Sequence, residues 1–183
     1  MELDRFEQLR ADHNVELEFV PFELHPEIPP QGWKSEENPY GYTTHVEEYI
    51  ERLAKQAGLP LNVPDFIPNT RLALEATKYA KEKGDPASVI RRVFEAYFAE
   101  GRDIGDPEVV ADVFSEVGYD REEVLAVINQ RRYAHQLDHD IEDALAMGIE
   151  MTPAAQICNR LLTGAKPYQI FEEAVSECVR HET

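Results

Sequence analysis

A chain of 183 residues, 43% of them hydrophobic, is long enough to bury the core of one compact domain or of a domain carrying a sizeable insertion. Its 36 acidic against 18 basic side chains give a formal charge of -18, a field that repels phosphate backbones and anionic lipid, so neither nucleic acid nor a membrane is expected as a partner. No apolar run approaches the ~20 residues that span a bilayer, and the opening MELDRFEQLR is charged where a secretory signal is apolar, so a cytoplasmic protein is the expectation.

The chain opens with a helix over residues 3 to 12, which places Leu3, Phe6 and Leu9 on one face. Then the period changes. In VELEFVPFEL, Val15, Leu17 and Phe19 alternate with Glu16 and Glu18, the pattern of a half-buried strand over 15 to 22. HPEIPPQG follows, and its prolines and glycine forbid regular structure.

From residue 43 to about 147 the pattern is helical, punctuated by turn signals. TTHVEEYIERLAKQAG starts on the cap candidates Thr43 and Thr44 and stops at Gly58. LPLNVPDFIP reads as a loop. Asn69 is placed to cap the next helix, Asp85 with Pro86 at the first helical position the one after, and Asp106-Pro107 and Asp120 two more. With a last helix from Tyr133 to Met147, these make a bundle.

Strand signals return in PAAQIC and RLLTG, separated by Asn159, and PYQIFEEAVSECVRH closes the chain with Ile170, Phe171, Ala174, Val175 and Cys178 on one helical face. The fold class is α/β, with a discontinuous domain from residues 1–42 and 148–183 bracketing an all-helical insertion over 43–147. Pro153 stands where a strand begins, a position proline tolerates because it cannot donate to a ladder. The two cysteines, Cys158 and Cys178, show no CxxC or zinc-site spacing, and two buried free thiols are favoured over a bridge.

Four segments, FVPFELHPEIPPQG, NTRLALEATKYAKEKG, AYFAEGRDIGDPEVV and GIEMTPAAQICNRLLTGAKPYQIFEEAV, resemble the FrnE-type branch of the DsbA family, with 2-hydroxychromene-2-carboxylate isomerases as more distant relatives. The resemblance implies a thioredoxin-like fold, incomplete at its N-terminus, with a large helical insertion. It also implies a cis Thr152–Pro153 bond beside which an extended substrate pairs. Met151, Thr152 and Pro153, together with Pro21, Phe22 and Trp33, are the substrate-contact residues so implied. The implied partners are a thiol-bearing protein or small molecule, with glutathione the partner in the isomerase branch; no cofactor and no metal are expected.

Members of this family begin with a strand that leads into a CxxC at a helix N-terminus, where the dipole lowers the thiolate pKa. This sequence contains no CxxC, and neither Cys158 nor Cys178 heads a helix, so dithiol–disulfide exchange by the family's route is not expected of it. The favoured account is that Met1 is an internal methionine of a longer frame; the others are a shortened paralogue kept as a peptide- or partner-binding module, and a chain that works by another site. A strand missing beside residues 15–22 would leave a gap, which a strand exchanged within a homodimer could fill.

Other constellations have plain readings. His135 and His139 are spaced i,i+4 among Asp138, Asp140 and Asp143, which suits a metal on one helix face but is more simply a solvated charged face. Trp33, with Tyr40 and Tyr42, reads first as packing of its loop onto the helices and second as an aromatic surface beside a cleft. There is no phosphate-cradling glycine loop and no GxSxG elbow, which leaves nucleotide-dependent and hydrolase readings without support.

Overall fold

The computed structural model describes residues 2–34, 44–62, 64–84 and 86–182. Helix α1, Glu2–His13, buries Leu3 and Leu9, carries Glu2 and Asp4 in its first turn and Arg10 and His13 in its last, and so complements its own dipole. It stops at Asn14, whose φ of 51° lies in the left-handed region. Beyond it the expected strand over 15–22 is absent. Val15, Leu17 and Phe19 are half-buried while Glu16, Glu18 and Val20 are exposed, so the alternation is real. The segment has no ladder partner among the described residues, and without one alternating burial does not make a strand. It is tied to the rest by side chains: Val15 packs on the smaller hydrophobic cluster, and Lys81 Nζ donates to Glu18 Oε1 at 2.6 Å.

A second departure lies at Trp33–Lys34, strand β1, which pairs antiparallel with Phe66–Ile67, strand β2, in a stretch whose prolines predict only loop. Gly32 permits the approach. Its φ is +72°, and a Cβ there would lie 2.7 Å from the Ile67 carbonyl oxygen.

Six described helices follow in the expected places: α2 Thr44–Gln56, α3 Arg71–Lys83, α4 Ala87–Phe98, α5 Pro107–Ser115, α6 Arg121–Asn129 and α7 Ala134–Ala146. Asp106 and Asp120 cap α5 and α6, accepting from the Glu108 and Glu123 amides at 2.8 Å each, contacts worth about 0.5–2 kcal/mol apiece. Asn69 bridges two elements: its Oδ1 accepts from the Arg71 amide at 3.0 Å, and its Nδ2 donates to the Ile28 carbonyl at 2.5 Å. Pro86 stands at the N-cap of α4 rather than inside it. The cap candidates Thr43 and Asp85, and the loop tyrosines Tyr40 and Tyr42, lie outside the described residues.

Two hydrophobic clusters organise the molecule. The larger joins α3 to α6: Ala73, Ala76 and Ala80 give α3 a flat face on which Val89, Val110, Phe114, Val124 and Ile128 close with almost no exposure. At its border Glu75 is fully buried. Arg71 Nε donates to it at 3.0 Å and Arg131 Nη2 at 2.6 Å, so the carboxylate is satisfied from two sides. Arg71 also donates to the buried Glu23 at 2.9 Å, to the Ala134 carbonyl at 3.2 Å and to Asp138. One guanidinium thereby fastens the 20–25 segment and α7 to α3. A charge buried this way stabilises only while every partner is present.

The smaller cluster is built from the two ends of the described chain. Strands β3, Ala154–Ile157, and β4, Arg160–Thr163, form an antiparallel hairpin with Ala154 opposite Thr163 and Ile157 opposite Arg160. Helix α8, Tyr168–Glu182, lays Phe171, Ala174 and Val175 against Leu162 of β4 and Leu9 of α1. The Phe6 and Phe171 rings meet edge-on with centroids 5.1 Å apart, and the Tyr168 hydroxyl donates to Asp12 at 2.7 Å. Arg91 of α4 joins this cluster to the helices by donating to Asp4 and Glu7, each at 2.7 Å.

The cysteines correct the expectation of buried free thiols. Cys158 does not lie within the strand; it forms the exposed turn of the hairpin at φ 48°, and Cys178 is half-buried on α8. They are joined in a disulfide with Cα atoms 6.0 Å apart, inside the roughly 4.4–6.8 Å that such a bond requires. The cause is non-local. The hairpin register puts residue 158 just past the last pair, and Cys178 follows Ala174 by one helical turn on the face that packs against the hairpin.

Candidate functional site

Proline opens β3, and the ladder shows which way its neighbours face. The Gly164 amide donates to the Pro153 carbonyl at 2.8 Å, so Pro153 turns toward β4. Residues of an antiparallel strand alternate in the edge to which they offer their amide and carbonyl. Ala155 and Ile157 therefore also face β4, and Ala154 and Gln156 face the other edge, to which no described strand is paired. The bond preceding Pro153 is cis. Thr152 is exposed and Pro153 half-buried at the head of this edge.

The chain that leads into this edge exposes several apolar side chains. Leu145, Met147 and Met151 are all close to half exposed and lie within seven residues of chain that lead into Thr152. Leu145 follows the buried Ala144 and so sits about 100° off the buried face of α7. Unbranched methionine side chains adapt to varied apolar partners, and Met151 immediately precedes Thr152 at the head of an edge of the kind that can accept an extended chain. Sequence reasoning missed Leu145 and Met147. The available signal was an apolar run, LAMGIEM, that leaves the helical period in which Leu137 and Ala144 are buried.

Of the six expected contact residues, the structure groups Met151, Thr152 and Pro153. The other three sit differently. Pro21 is buried and presents no surface, Phe22 is half-buried, and Trp33 belongs to β1, whose partner is β2 rather than the hairpin. Segment 20–25 is placed by the Glu23–Arg71 contact, which nothing local to its sequence announces.

Neither cysteine is placed for nucleophilic work at this edge. Cys158 lies at the far end of β3, and Cys178 lies deep within α8, away from the N-terminal amides that lower a thiolate pKa. Among the described residues no group of three or more His, Cys, Asp or Glu side chains could hold a metal ion, and His139 instead pairs with Asp143 at 3.0 Å. No described helix is long and apolar enough to cross a membrane. Two shallow hollows, one lined by Tyr79, Lys83 and Glu123, the other by Glu16, Phe19 and Lys81, lie apart from residues 151–156.

Several known proteins are similar to this chain. The uncharacterized protein YwbO of Bacillus subtilis is 31% identical over 180 residues, which cover 94% of this chain and 86% of that one. A probable DsbA oxidoreductase from Streptomyces coelicolor superposes with a TM-score of 0.84 at 24% identity, over 98% of this chain and 83% of its own. A 2-hydroxychromene-2-carboxylate isomerase superposes with a TM-score of 0.79 at 17% identity, over 98% and 89%. A putative protein disulfide isomerase from Nitrosomonas europaea does so with 0.74 at 10% identity, over 99% and 91%. At these identities the structures speak for the fold, which is the thioredoxin-like α/β class. The family model of the DSBA-like thioredoxin domain matches residues 2–176, from the first turn of α1 through the seam that α8 shares with the hairpin, and the chain belongs to that family.

Proposed function

We propose that this chain supplies the substrate-docking wall of a DsbA-type, FrnE-like thiol–disulfide oxidoreductase or isomerase, with an extended cysteine-bearing chain laid along the outer edge of β3. In this reading residues 1–42 and 148–183 are the thioredoxin-like part and 43–147 a helical insertion. The single observation that carries it is an edge, unpaired among the described residues, headed by Thr152–Pro153 and preceded in the chain by the exposed Met147 and Met151, within a DSBA-like domain. Ala154 and Gln156 offer backbone donors and acceptors, and the methionines receive alternate side chains of the guest.

Exchange of a disulfide requires a thiolate attacker and a second thiol to resolve the mixed disulfide. The only two sulfhydryl residues of these 183 are bonded to each other at the other end of the hairpin, so the contribution of this chain is binding. A second reading is favoured by the likeness to the chromene-carboxylate isomerase: glutathione, itself an extended peptide, would lie along the same edge.

The test is binding of a fluorescent S-methylated cysteine peptide, and of S-methylglutathione in competition, to wild type and to Ala154→Pro. That substitution deletes an outward amide and no ladder hydrogen bond. Loss of one such bond weakens binding about 2–10-fold with the circular dichroism unchanged. Equal affinity for both proteins overturns the placement of the guest. In parallel, insulin reduction by dithiothreitol proceeds at its uncatalysed rate; clear acceleration that disappears with Cys158→Ser overturns the assignment of binding alone.

A further inference from the structure

We infer that Cys158 and Cys178 form a reversible thiol–disulfide couple, a redox-modification site at the end of β3 opposite Thr152–Pro153, which makes or breaks a crosslink between the hairpin turn and α8. Three observations carry it. The Cα atoms stand 6.0 Å apart, a separation that a disulfide spans. Cys158 lies exposed in the turn, and Cys178 is only half-buried, outside both hydrophobic clusters, so a small thiol reaches the sulfurs in the folded protein.

The third observation is that the two elements stay together without the bond. Ala155 and Ile157 of β3 pack on the cluster that Phe171, Ala174 and Val175 of α8 help to form. Arg160 of β4, two residues past Cys158, donates to Glu177 of α8, next to Cys178, at 2.7 Å. Reduced thiols held this way remain neighbours and reclose, where thiols on independent elements would drift apart.

The chemistry balances with a low-molecular-weight thiol of the glutathione class as co-reactant. Its thiolate attacks the exposed Cys158 sulfur, the protein S–S bond breaks, and the electron pair leaves on Cys178, which takes a proton. A second thiolate attacks the mixed disulfide at the small-molecule sulfur and releases Cys158. Net, two small thiols become one small disulfide, and the protein gains two thiols. Reoxidation by the small disulfide runs the same steps backward. Neither sulfur heads a helix, so the pair answers to the surrounding thiol pool rather than catalysing exchange for other proteins.

The experiment equilibrates the native protein across a series of reduced and oxidised glutathione ratios, quenches in acid, labels with a maleimide and weighs the intact protein. The expected result is a reversible passage between no label and two, mapped to Cys158 and Cys178. The melting temperature falls by roughly 6–12 °C on reduction, as removal of a crosslink closing a loop of this length implies, and recovers on reoxidation. The Cys158→Ser/Cys178→Ser variant melts at one temperature throughout; should that variant fail to fold, the labelling of wild type still decides. Two labels at every ratio show that no bond forms, and labelling only after unfolding shows that the sulfurs are inaccessible; either overturns the inference.

Discussion

The helical cluster and the hairpin cluster differ in how their contacts are spaced along the chain. Among the described residues, sixteen buried side chains drawn from neighbouring helices and the turns between them make the first, and five drawn from α1, β4 and α8 make the second. Contacts close in sequence cost little loop entropy, whereas the second cluster joins Leu9 to Phe171 across nearly the whole chain. It is reinforced from outside its apolar core: the Arg91 contacts to α1, the Tyr168–Asp12 hydrogen bond and the disulfide all hold its margins. The candidate docking edge belongs to this thinner region, consistent with binding elements being drawn from the less stable parts of a fold.

The comparison breaks most directly at its two phenylalanines. Phe114→Ala in the helical cluster should cost about 3–5 kcal/mol in urea unfolding, and Phe171→Ala toward the lower end of that range, because its smaller cluster collapses more readily. Native-state hydrogen exchange then separates the regions: Phe171→Ala should speed exchange in β3 and β4 and leave α3 to α6 slow. If both variants open all elements together, the two clusters are one cooperative unit and the contrast fails.

Next in size is the arginine that ties the 20–25 segment to the helices. Arg71→Met leaves Glu75 with Arg131 but strips Glu23, which is 8% exposed, of the guanidinium that pairs with it. A loss of about 2–4 kcal/mol is expected, with proteolytic cleavage appearing near residues 20–25 before any in α3 to α6. Cleavage first among the helices would place this arginine in the core's stability rather than in the attachment of the segment.

The smallest effect belongs to the surface ion pairs around α4. Glu116 is held below its ordinary 4.5, first by the Arg102 hydrogen bond, with slight burial opposing and Arg92 assisting; Glu100 is held below the same value first by Arg92. A carboxyl with a lower pKa folded than unfolded adds stability that is full above about 4.5 and is lost as pH falls through the folded value. The stability gap between wild type and Glu100→Gln/Glu116→Gln should therefore be present at neutral pH, vanish in acid, and shrink in high salt. A gap that persists in acid would assign these side chains a packing role.

What the sequence made legible was local. Asp106-Pro107 and Asp120 announce helix starts because a cap needs only two or three consecutive residues, and Thr152-Pro153 announces a strand start for the same reason. What failed was pairing. Alternation in Val15 to Val20 encodes burial but says nothing of a ladder partner, and β1 and β2 are two residues each, joined across a gap with no periodic signal. The disulfide was misread because its geometry depends jointly on hairpin register and helix docking. At the site, Met151 to Pro153 follow from neighbouring residues, whereas the burial of Pro21 follows from tertiary packing that its own segment does not reveal.

The outer edge of β3 has a consequence for self-association. An open row of backbone amides is ordinarily a template on which copies of a chain can stack. Here it offers only Ala154 and Gln156 before the turn ends it at Cys158, and a proline closes it at the other end. An edge this short, closed by proline, gives little footing for a growing fibre.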